Sequence, residues 1–450
     1  MSILIKFLYM LYRHEIYKNY LIQKKIRKLP LEEIQKIQWT RLKKLLDYVY
    51  YSSDFYREIF KTVKLIPQDI NSYKDFTKLP IINKKILKNN YKKIITKGNS
   101  IKDYTVSYTA GSTGEPFPFL LDIKREHPST TAAYMLSKEN INIDPFKKYN
   151  ELMIKATPIN EIKINEPIRK GILHKLKYQF ISETFGIKSS EIKEDNTKAI
   201  YSIIKNNNIK GIYGYSSNIY YLAKLFKMHN FKVKLKYIIL IAEGLLKQQK
   251  NLIMNVFNCP VYMDYGSSEC MRMGFECKYQ NGYHMDIYNY YFEYLNDNGE
   301  VCEPGENANI IVTNLNNYIF PLIRYKIGDQ CIAPKDKCLC GLNYPLVNQI
   351  LGRDSDIIKT PLNEEISRND FDIFLTRLYE YINQYQIVIY KADNTINIKI
   401  VPTEKFETEI SKKIKEDISK LVRYSMDIKI ELVEKIPFEK YGKTKTFIVK

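Results

Sequence analysis

The sequence predicts an α/β fold, with a large N-terminal domain at residues 1–353 and a small α+β domain at residues 354–450. Three observations predict this organisation. Short apolar runs alternate with helical stretches between residues 209 and 265. Residues 283–330 alternate between apolar and polar and contain turn signals, and the chain after residue 354 carries its own pattern of helices and strands.

Residues 1–93 predict a helical lead-in whose loops contain proline, and apolar residues recur at helical spacing through 31–51. The first twelve residues form an apolar run interrupted by Lys6, which is much shorter than the ~20 residues that a membrane span requires. As a helix, this run predicts an apolar face of Ile3, Phe7, Met10 and Leu11 beside Lys6, Arg13 and Lys18. Such a face permits at most peripheral contact with an anionic membrane surface, and the alternative is a first helix packed on the body of the protein.

The central region predicts a parallel sheet. Apolar runs at 209–213, 237–242 and 261–265 are separated by helical stretches at 218–229 and 246–257. This order of strand, helix, strand, helix and strand is typical of parallel pairing. Ligands of α/β proteins bind at the loops that follow such strands, and residues 242–244 and 264–269 occupy those positions.

Turn signals at 281–282 and 298–299 predict antiparallel hairpins between residues 283 and 330. The last domain predicts an α+β unit of about the smallest size that folds alone. Its predicted elements are a helix at 369–381, strands at 386–390 and 395–401, a helix at 404–422 and a strand at 427–433.

The chain carries 70 Lys and Arg against 50 Asp and Glu, a formal net charge of +20. The basic residues are scattered and no recognition-helix signature is present, so we expect no specific nucleic-acid partner; the charge instead favours small anions such as ATP. All seven cysteines lie between residues 259 and 340. An odd number confined to one stretch indicates reduced thiols or a metal site rather than a secreted disulfide framework, and predicts a cytoplasmic protein.

The segment 108–116 alternates glycine with hydroxyl residues, which suits a phosphate-binding loop because glycine lets backbone N–H groups approach phosphate oxygens. Taken by itself, the alternative for this segment is an ordinary flexible turn. The segment resembles the phosphate loop of adenylate-forming enzymes, and four further matches follow in the same order. Residues 264–269 resemble the family's Tyr-Gly-x-[Ser/Thr]-Glu segment, 324–329 its Arg-Tyr-x-Thr-Gly-Asp with Ile327 in place of Thr, 352–356 its Gly-Arg-x-x-Asp, and 442–443 its Gly-Lys. By pattern the chain is similar to phenylacetate-CoA ligases, especially the branch found in capsular polysaccharide loci.

The resemblance implies a ligase in which a small carboxylic acid attacks the α-phosphate of ATP, releases pyrophosphate and becomes an acyl-adenylate, with Mg²⁺ balancing the phosphate charge. The acyl group would pass to CoA, or to an amine or hydroxyl of a sugar or lipid-linked intermediate in surface-polysaccharide synthesis. An alternative is a catalytically inactive, zinc-stapled nucleotide-binding scaffold of the same fold. The spacing of residues encodes neither the acid, nor the choice of acceptor, nor the oligomeric state.

The resemblance also implies residue roles. Three residues are implied to be catalytic: Lys443 on the α-phosphate and carboxylate oxygens, Glu269 on Mg²⁺, and Ser268 beside the α-phosphate. The residues implied to bind the nucleotide are Thr109, Gly111, Ser112, Thr113 and Gly114 at the phosphates, Glu243, Gly244, Asp264 and Tyr265 along the adenine pocket with Gly266 next to them, and Asp329 with Arg353 at the ribose. The resemblance also implies that the C-terminal domain is mobile, with Asp356 as its hinge.

A second constellation predicts a structural zinc site. Cys277 and His284 are followed more than fifty residues later by Cys338 and Cys340. Three thiolates and one imidazole complete a tetrahedral Zn²⁺ site with no open position. The alternative is a group of buried thiols with His284 hydrogen-bonded nearby. Cys259, Cys270, Cys302 and Cys331 have no partner pattern, and we expect them in the core or in strands.

Overall fold

The computed structural model describes residues 2–108, 117–155, 161, 183–353, 357–378, 380–436 and 446–450. The described helices are α1 (Ser2–Tyr12), α2 (His14–Ile26), α3 (Leu31–Ser52), α4 (Asp54–Thr62), α5 (Tyr73–Phe76), α6 (Lys84–Asn89), α7 (Tyr91–Ile94), α8 (Glu126–Asn140), α9 (Thr197–Asn206), α10 (Ser216–Met228), α11 (Lys247–Phe257), α12 (Arg368–Arg377) and α13 (Thr408–Leu421). The described strands are β1 (Tyr104–Tyr108), β2 (Pro118–Asp122), β3 (Asn150–Lys155), β4 (Thr184–Lys188), β5 (Ile209–Tyr215), β6 (Tyr237–Ile241), β7 (Val261–Ser267), β8 (Met271–Phe275), β9 (Tyr283–Met285), β10 (Tyr290–Leu295), β11 (Asn307–Asn314), β12 (Tyr325–Ile332), β13 (Leu346–Val347), β14 (Ile350–Arg353), β15 (Ile357–Lys359), β16 (Glu365–Ser367), β17 (Ile382–Tyr390), β18 (Thr395–Pro402), β19 (Asp427–Leu432) and β20 (Phe447–Val449).

The chain divides into two compact units. The first comprises Met1–Lys148 and Met263–Ile350, and the second comprises Tyr149–Tyr262 and Leu351–Lys450. The domain boundaries drawn from the sequence, 1–353 and 354–450, stay a prediction. Within the described part of the chain, no helix combines the length and the apolar character that a membrane crossing needs.

The first unit packs its helical lead-in against antiparallel strands. Strands β10, β11 and β12 pair antiparallel, as the turn signals predict. Helix α3 follows the predicted stripe, and its Leu42, Leu45 and Leu46 are fully buried in the core that contains this sheet. Full burial of each such side chain stabilises the fold by roughly 1.5–3 kcal/mol.

Two further strand arrangements of the first unit lie next to the motifs at 108–116 and 264–269 in the sequence. Strands β7, β8, β9 and β13 pair antiparallel in that order. Strands β1 and β2, which flank the glycine- and hydroxyl-rich segment in the sequence, form an antiparallel pair in which Tyr108 lies opposite Pro118.

The second unit contains the parallel sheet, in the order β6-β5-β3-β4. The predicted passage from strand through helix to strand is confirmed by β5, α10 and β6, and α10 buries Ile219, Leu222 and Phe226. Strands β3 and β4 belong to the same parallel sheet, although neither strand was predicted from the sequence.

The C-terminal part of the second unit is an α+β arrangement with its own core. The strand order is β19-β18-β17-β20, with β17 and β18 antiparallel and the two outer pairs parallel. Ile387, Ile398 and Phe371 are among its fully buried residues. The predicted α/β class, with parallel and antiparallel sheets and a C-terminal α+β domain, is therefore confirmed.

One lysine of this unit, Lys224, is partly buried. Lys224 on α10 donates a 2.8 Å hydrogen bond from Nζ to the carbonyl oxygen of Ile382, the first residue of β17. Burial lowers the pKa of Lys224 from 10.5 to about 8, because the charged ammonium loses hydration.

Candidate active site and metal centre

The two central motifs of the predicted nucleotide site meet at Tyr265 and Asp329. Tyr265 on β7 donates a hydrogen bond from its hydroxyl to Oδ2 of Asp329 on β12, at 2.9 Å. Both residues are buried, at 8% and 9% exposure. Burial and the neighbouring Asp329 carboxylate raise the pKa of Tyr265 well above its ordinary value, so its hydroxyl stays a donor at physiological pH.

Asp264, the residue before Tyr265, is held by an ion pair that the motif did not predict. The guanidinium of Arg272 on β8 donates to Oδ2 of Asp264, and both side chains are buried. The same guanidinium lies over the ring of Tyr134, 4.4 Å from its centroid. Arg272 thus neutralises the carboxylate of Asp264, which the resemblance places beside adenine. Arg272 was not singled out from the sequence, and the one available signal was its position three residues after Glu269.

Gly266 lies where the chain permits no side chain. A Cβ at this position would stand 2.1 Å from the carbonyl oxygen of Met271 on the paired strand. The glycine therefore allows the turn from β7 into β8 to close tightly. The turn is fixed further by Ser267, whose Oγ accepts a 3.0 Å hydrogen bond from the backbone N–H of Cys270.

This turn presents Ser268 and Glu269, which are both half-exposed. The hydroxyl of Tyr325 donates to Oε1 of Glu269 at 3.4 Å. Tyr325 begins β12 and is 2% exposed, so a second contact joins the motif at 264–269 to the motif at 324–329. Tyr325 was included in the predicted motif at 324–329, but no role was predicted for its side chain.

Arg324, the first residue of the second motif, anchors the fold. It makes two hydrogen bonds to the carboxylate of Glu293, at 3.0 and 2.8 Å, and donates to the carbonyl oxygens of Thr77 and Leu79. Burial raises the pKa of Glu293, and Arg324 opposes that rise. The pair ties β12 to β10 and to the lead-in at residues 77–79, immediately before Tyr325.

The remaining predicted residues of the described chain lie in the second unit. Glu243 follows β6, where its carboxylate accepts a 2.9 Å hydrogen bond from the N–H of Ser217 and its carbonyl accepts another from the Ser216 hydroxyl. Gly244 is next to it, and Arg353 ends β14. Thr109, Gly111, Ser112, Thr113, Gly114, Asp356 and Lys443 lie outside the described residues.

The four residues of the predicted metal site converge in the first unit. Cys277 lies just after β8, His284 is on β9, and Cys338 and Cys340 belong to the loop before β13. The Cys277 and Cys338 sulfurs are 3.5 Å apart, and the Cys340 sulfur is 3.3 Å from Nε2 of His284. All four candidate ligand atoms lie within 4.8 Å of one another.

The arrangement favours a thiolate within this group. Hydrogen bonding from Cys340, assisted by His284, lowers the pKa of Cys277, while the shared proton raises the pKa of Cys340. The other four cysteines are buried as expected, and burial raises the pKa of Cys259, Cys270, Cys302 and Cys331. Only the first group thus gathers thiol and imidazole donors about one point within the described chain.

The chain shares sequence with two curated relatives over most of its length. It is 25% identical over 422 residues to protein CapK of Staphylococcus aureus, covering 91% of this chain and 88% of CapK. It is 22% identical over 416 residues to the phenylacetate-coenzyme A ligase of Thermus thermophilus, covering 88% of this chain and 87% of that ligase. Residues 358–450 match the model of the CapK C-terminal domain.

A solved structure of 2-hydroxyisobutyryl-CoA ligase, in the postadenylation state and in complex with R3-HIB-AMP, has the same fold. The TM-score is 0.74 at 16% sequence identity, over 95% of this chain and 92% of that ligase. The chain is a homologue of the adenylate-forming, acyl-CoA ligase-type enzymes. This homology confirms two predictions made from the sequence. The first is the resemblance to adenylate-forming enzymes that the five ordered motifs carry, and the second is the expected enzyme class.

Proposed function

We propose that the chain uses ATP to activate a small carboxylic acid as an acyl-adenylate and then passes the acyl group to CoA. The observation that carries this proposal is the joining of two predicted nucleotide-binding motifs by the Tyr265–Asp329 and Tyr325–Glu269 contacts. The names of the ligases among its homologues support CoA as the acceptor.

The residues of the first unit suit the proposed nucleotide chemistry. Asp329 offers carboxylate oxygens that can accept hydrogen bonds from the ribose hydroxyls, and Tyr265 fixes the orientation of that carboxylate. Ser268 supplies a donor for the α-phosphate. Negative charge grows on the phosphate oxygens as the carboxylate attacks the α-phosphate and pyrophosphate leaves, so fixed donors lower the barrier more than mobile water does.

Glu269 is the proposed Mg²⁺ ligand. Mg²⁺ prefers oxygen ligands and keeps several waters, which fits a half-exposed carboxylate whose Oε1 accepts a long, 3.4 Å hydrogen bond from Tyr325. When bound, the ion neutralises charge on the phosphate oxygens of ATP.

The other assigned roles rest on the resemblance. They are the phosphate-binding roles of Thr109, Gly111, Ser112, Thr113 and Gly114, the adenine-side roles of Glu243 and Gly244, the ribose-side role of Arg353, and the action of Lys443 on the α-phosphate and carboxylate oxygens. Lys443 would act as a point charge from the C-terminal domain, with Asp356 as the hinge.

We further propose that Cys277, His284, Cys338 and Cys340 hold a structural Zn²⁺. Zinc binds sulfur at about 2.3 Å and imidazole nitrogen at about 2.0 Å in a tetrahedron, which places neighbouring ligand atoms roughly 3.5–3.8 Å apart. The 3.5 and 3.3 Å separations lie close to that range. Because all four positions are protein ligands, the ion would stabilise the fold and leave the reaction to other residues.

The finer biological proposal is that acyl transfer serves surface, or capsular, polysaccharide synthesis in the cytoplasm. It is supported by the similarity to protein CapK, by the capsular branch that the motifs resemble, and by seven free thiols. A sugar or lipid-linked amine or hydroxyl is the alternative acceptor.

The test is exchange of labelled pyrophosphate into ATP, with Mg²⁺ and a pooled panel of aryl, fatty, hydroxy and amino acids. We expect exchange that depends on one acid and falls by at least about 100-fold in Glu269→Ala. The control is Glu303→Ala, which removes an exposed carboxylate from the same unit. Measurable ATP binding without exchange for any acid would contradict the proposal and favour the inactive scaffold.

The acceptor is tested separately, by adding CoA or amine and hydroxyl acceptors to the reaction with the identified acid. Formation of the acyl thioester supports CoA. Release of AMP only in the presence of an amine or hydroxyl acceptor would contradict it.

A further inference from the structure

Helix α1 is apolar nearly all round, and its described side chains are covered on one face and exposed on the opposite face. Ile5 is 2% exposed, and Tyr9 packs edge-on against Phe146 with 5.7 Å between ring centroids. On the opposite side, Phe7, Met10 and Leu11 are 50%, 43% and 55% exposed. A helix that is apolar on all sides is normally buried on all sides. The outer face of α1 therefore lacks a cover within the described part of the first unit.

The exposed residues form an ordered stripe. Phe7, Met10 and Leu11 are three and four residues apart, which places them on one side of the helix. Helix α2 repeats the pattern with exposed Leu21 and Ile22. Lys18 and Lys25 lie one helical turn to either side of that pair.

The charge around these stripes has one sign. The first 28 residues contain seven Lys and Arg but a single acidic residue, Glu15. Lys24 and Arg27 are engaged with Glu139 of α8. The other five cations have exposed side chains: Lys6, Arg13, Lys18, Lys25 and Lys28. Apolar residues flanked by exposed cations are typical of helices that lie in the interface of an anionic bilayer.

We propose that α1 and α2 dock the protein reversibly on an anionic membrane surface. Phe7, Met10 and Leu11 enter the headgroup layer, and the flanking Lys and Arg side chains bind lipid phosphates. Eleven residues of helix measure about 16 Å, so α1 lies on the bilayer and does not cross it.

The charge favours a lipid surface over a second copy of this chain. Two copies meeting through these helices would bring their exposed cations together with only one acidic residue from each N-terminal segment, and like charges repel. Anionic lipid complements the same cations. The docking surface contains no residue of the proposed nucleotide site, so this inference stands independently of the proposed ligase activity.

The experiment is sedimentation of the full-length protein with phosphatidylcholine vesicles that contain about 30 mol% phosphatidylglycerol, or none. We expect partitioning onto the anionic vesicles at ~0.1 M salt, at least ~10-fold weaker partitioning onto the neutral vesicles, and release at ~0.5 M salt. The variant Phe7→Ser/Met10→Ser/Leu11→Ser is expected to lose at least ~10-fold in partitioning, because the apolar insertion is removed. The variant Lys18→Glu/Lys25→Glu is expected to partition at least ~10-fold more weakly onto the anionic vesicles and to be unchanged on the neutral vesicles, because only the anionic lipids attract the two lysines.

The matched control is Ile66→Ser/Ile101→Ser/Val301→Ser, which removes three exposed apolar residues of the same unit outside α1 and α2. It is expected to partition like the wild type. Thermal unfolding of every variant, followed by circular dichroism, reports whether the fold is retained. Equal partitioning of the α1 variant and the wild type would overturn the proposal. Light scattering that shows a dimer, dissociated by the α1 substitutions and without vesicle binding, would overturn it in favour of a second copy.

Discussion

The hydroxyl of Tyr265 and the carboxylate of Asp329 are joined by a 2.9 Å hydrogen bond across 64 residues of sequence. One residue belongs to the strand that follows the α/β region, and the other lies on the antiparallel sheet. Their contact makes the position of the proposed ribose ligand depend on the neighbouring motif, so a change in either segment is expected to affect nucleotide binding.

Replacing Tyr265 with Phe removes the donor while keeping the ring. We expect the KM for ATP to rise about 10-fold and the free energy of unfolding to fall by about 1–3 kcal/mol, because the buried Asp329 carboxylate loses a hydrogen bond. Exchange kinetics and urea unfolding measure the two effects. The control is Tyr294→Phe, since the buried hydroxyl of Tyr294 has no hydrogen-bond partner among the described residues. An unchanged KM in Tyr265→Phe would remove this residue from nucleotide positioning.

Lys443→Ala is expected to reduce the rate of adenylation by at least about 100-fold and to change the Kd for ATP by less than about 3-fold. The physical reason is that a point charge on the α-phosphate contributes most when charge develops during the reaction. Exchange kinetics and calorimetric titration with ATP separate the two quantities. Lys445→Ala, two residues away, is the matched control. If both variants lost the same factor in adenylation rate, the loss would reflect a general effect of positive charge, and a specific role of Lys443 would be contradicted.

Purified protein is expected to contain one zinc ion per chain, and Cys338→Ser is expected to lose it. Removal of zinc by a chelator should reduce the free energy of unfolding by at least about 3 kcal/mol, because metal binding to a closed ligand set contributes directly to folding. Elemental analysis and thermal unfolding measure metal content and stability. Cys302→Ser is the control, since its sulfur donates to the Asn307 carbonyl outside the cluster. Wild-type protein that is free of zinc yet insensitive to chelator would contradict the site.

The stability of the wild type is expected to rise relative to Lys224→Met between pH 8 and pH 10.5. Burial lowers the pKa of Lys224 from 10.5 to about 8 in the folded state. In this window the unfolded chain binds a proton that the folded chain has released, so the free energy of unfolding increases with pH, by up to about 3 kcal/mol. The gain is lost as the pH falls through 8.

Urea unfolding on both sides of that window measures the effect. The control is Lys227→Met, which replaces an exposed lysine on the same helix. A stability difference between the wild type and Lys224→Met that does not vary with pH would show that the ammonium of Lys224 is not desolvated.

Periodicity and ordered motifs predicted much of this structure. Local spacing of apolar residues is visible in a single sequence. It predicted the apolar stripe of α3, the strands β5, β6 and β7, and the C-terminal α+β pattern. The cluster of Cys277, His284, Cys338 and Cys340 was predictable because few residue types bind zinc and their spacing is restricted.

Contacts between distant segments were not predictable in the same way. The ion pair of Arg272 with Asp264 and the bonds of Arg324 to Glu293 depend on which strands become neighbours, and a single sequence does not state that. Motif matching indicated that residues 324–329 matter, but it could not separate Arg324, which anchors the fold, from Asp329, which is proposed to bind the nucleotide.

The loop between Cys277 and Cys338 contains the whole of β9, β10, β11 and β12. The proposed zinc ion would tie Cys277 to Cys338, which are 61 positions apart in the sequence, and Tyr325 and Asp329 lie between them. Closing so long a loop is costly for a disordered chain, so binding of the proposed metal and assembly of these strands would become one thermodynamic event. Cells short of zinc would then contain fewer folded molecules, while each folded molecule would keep its full specific activity.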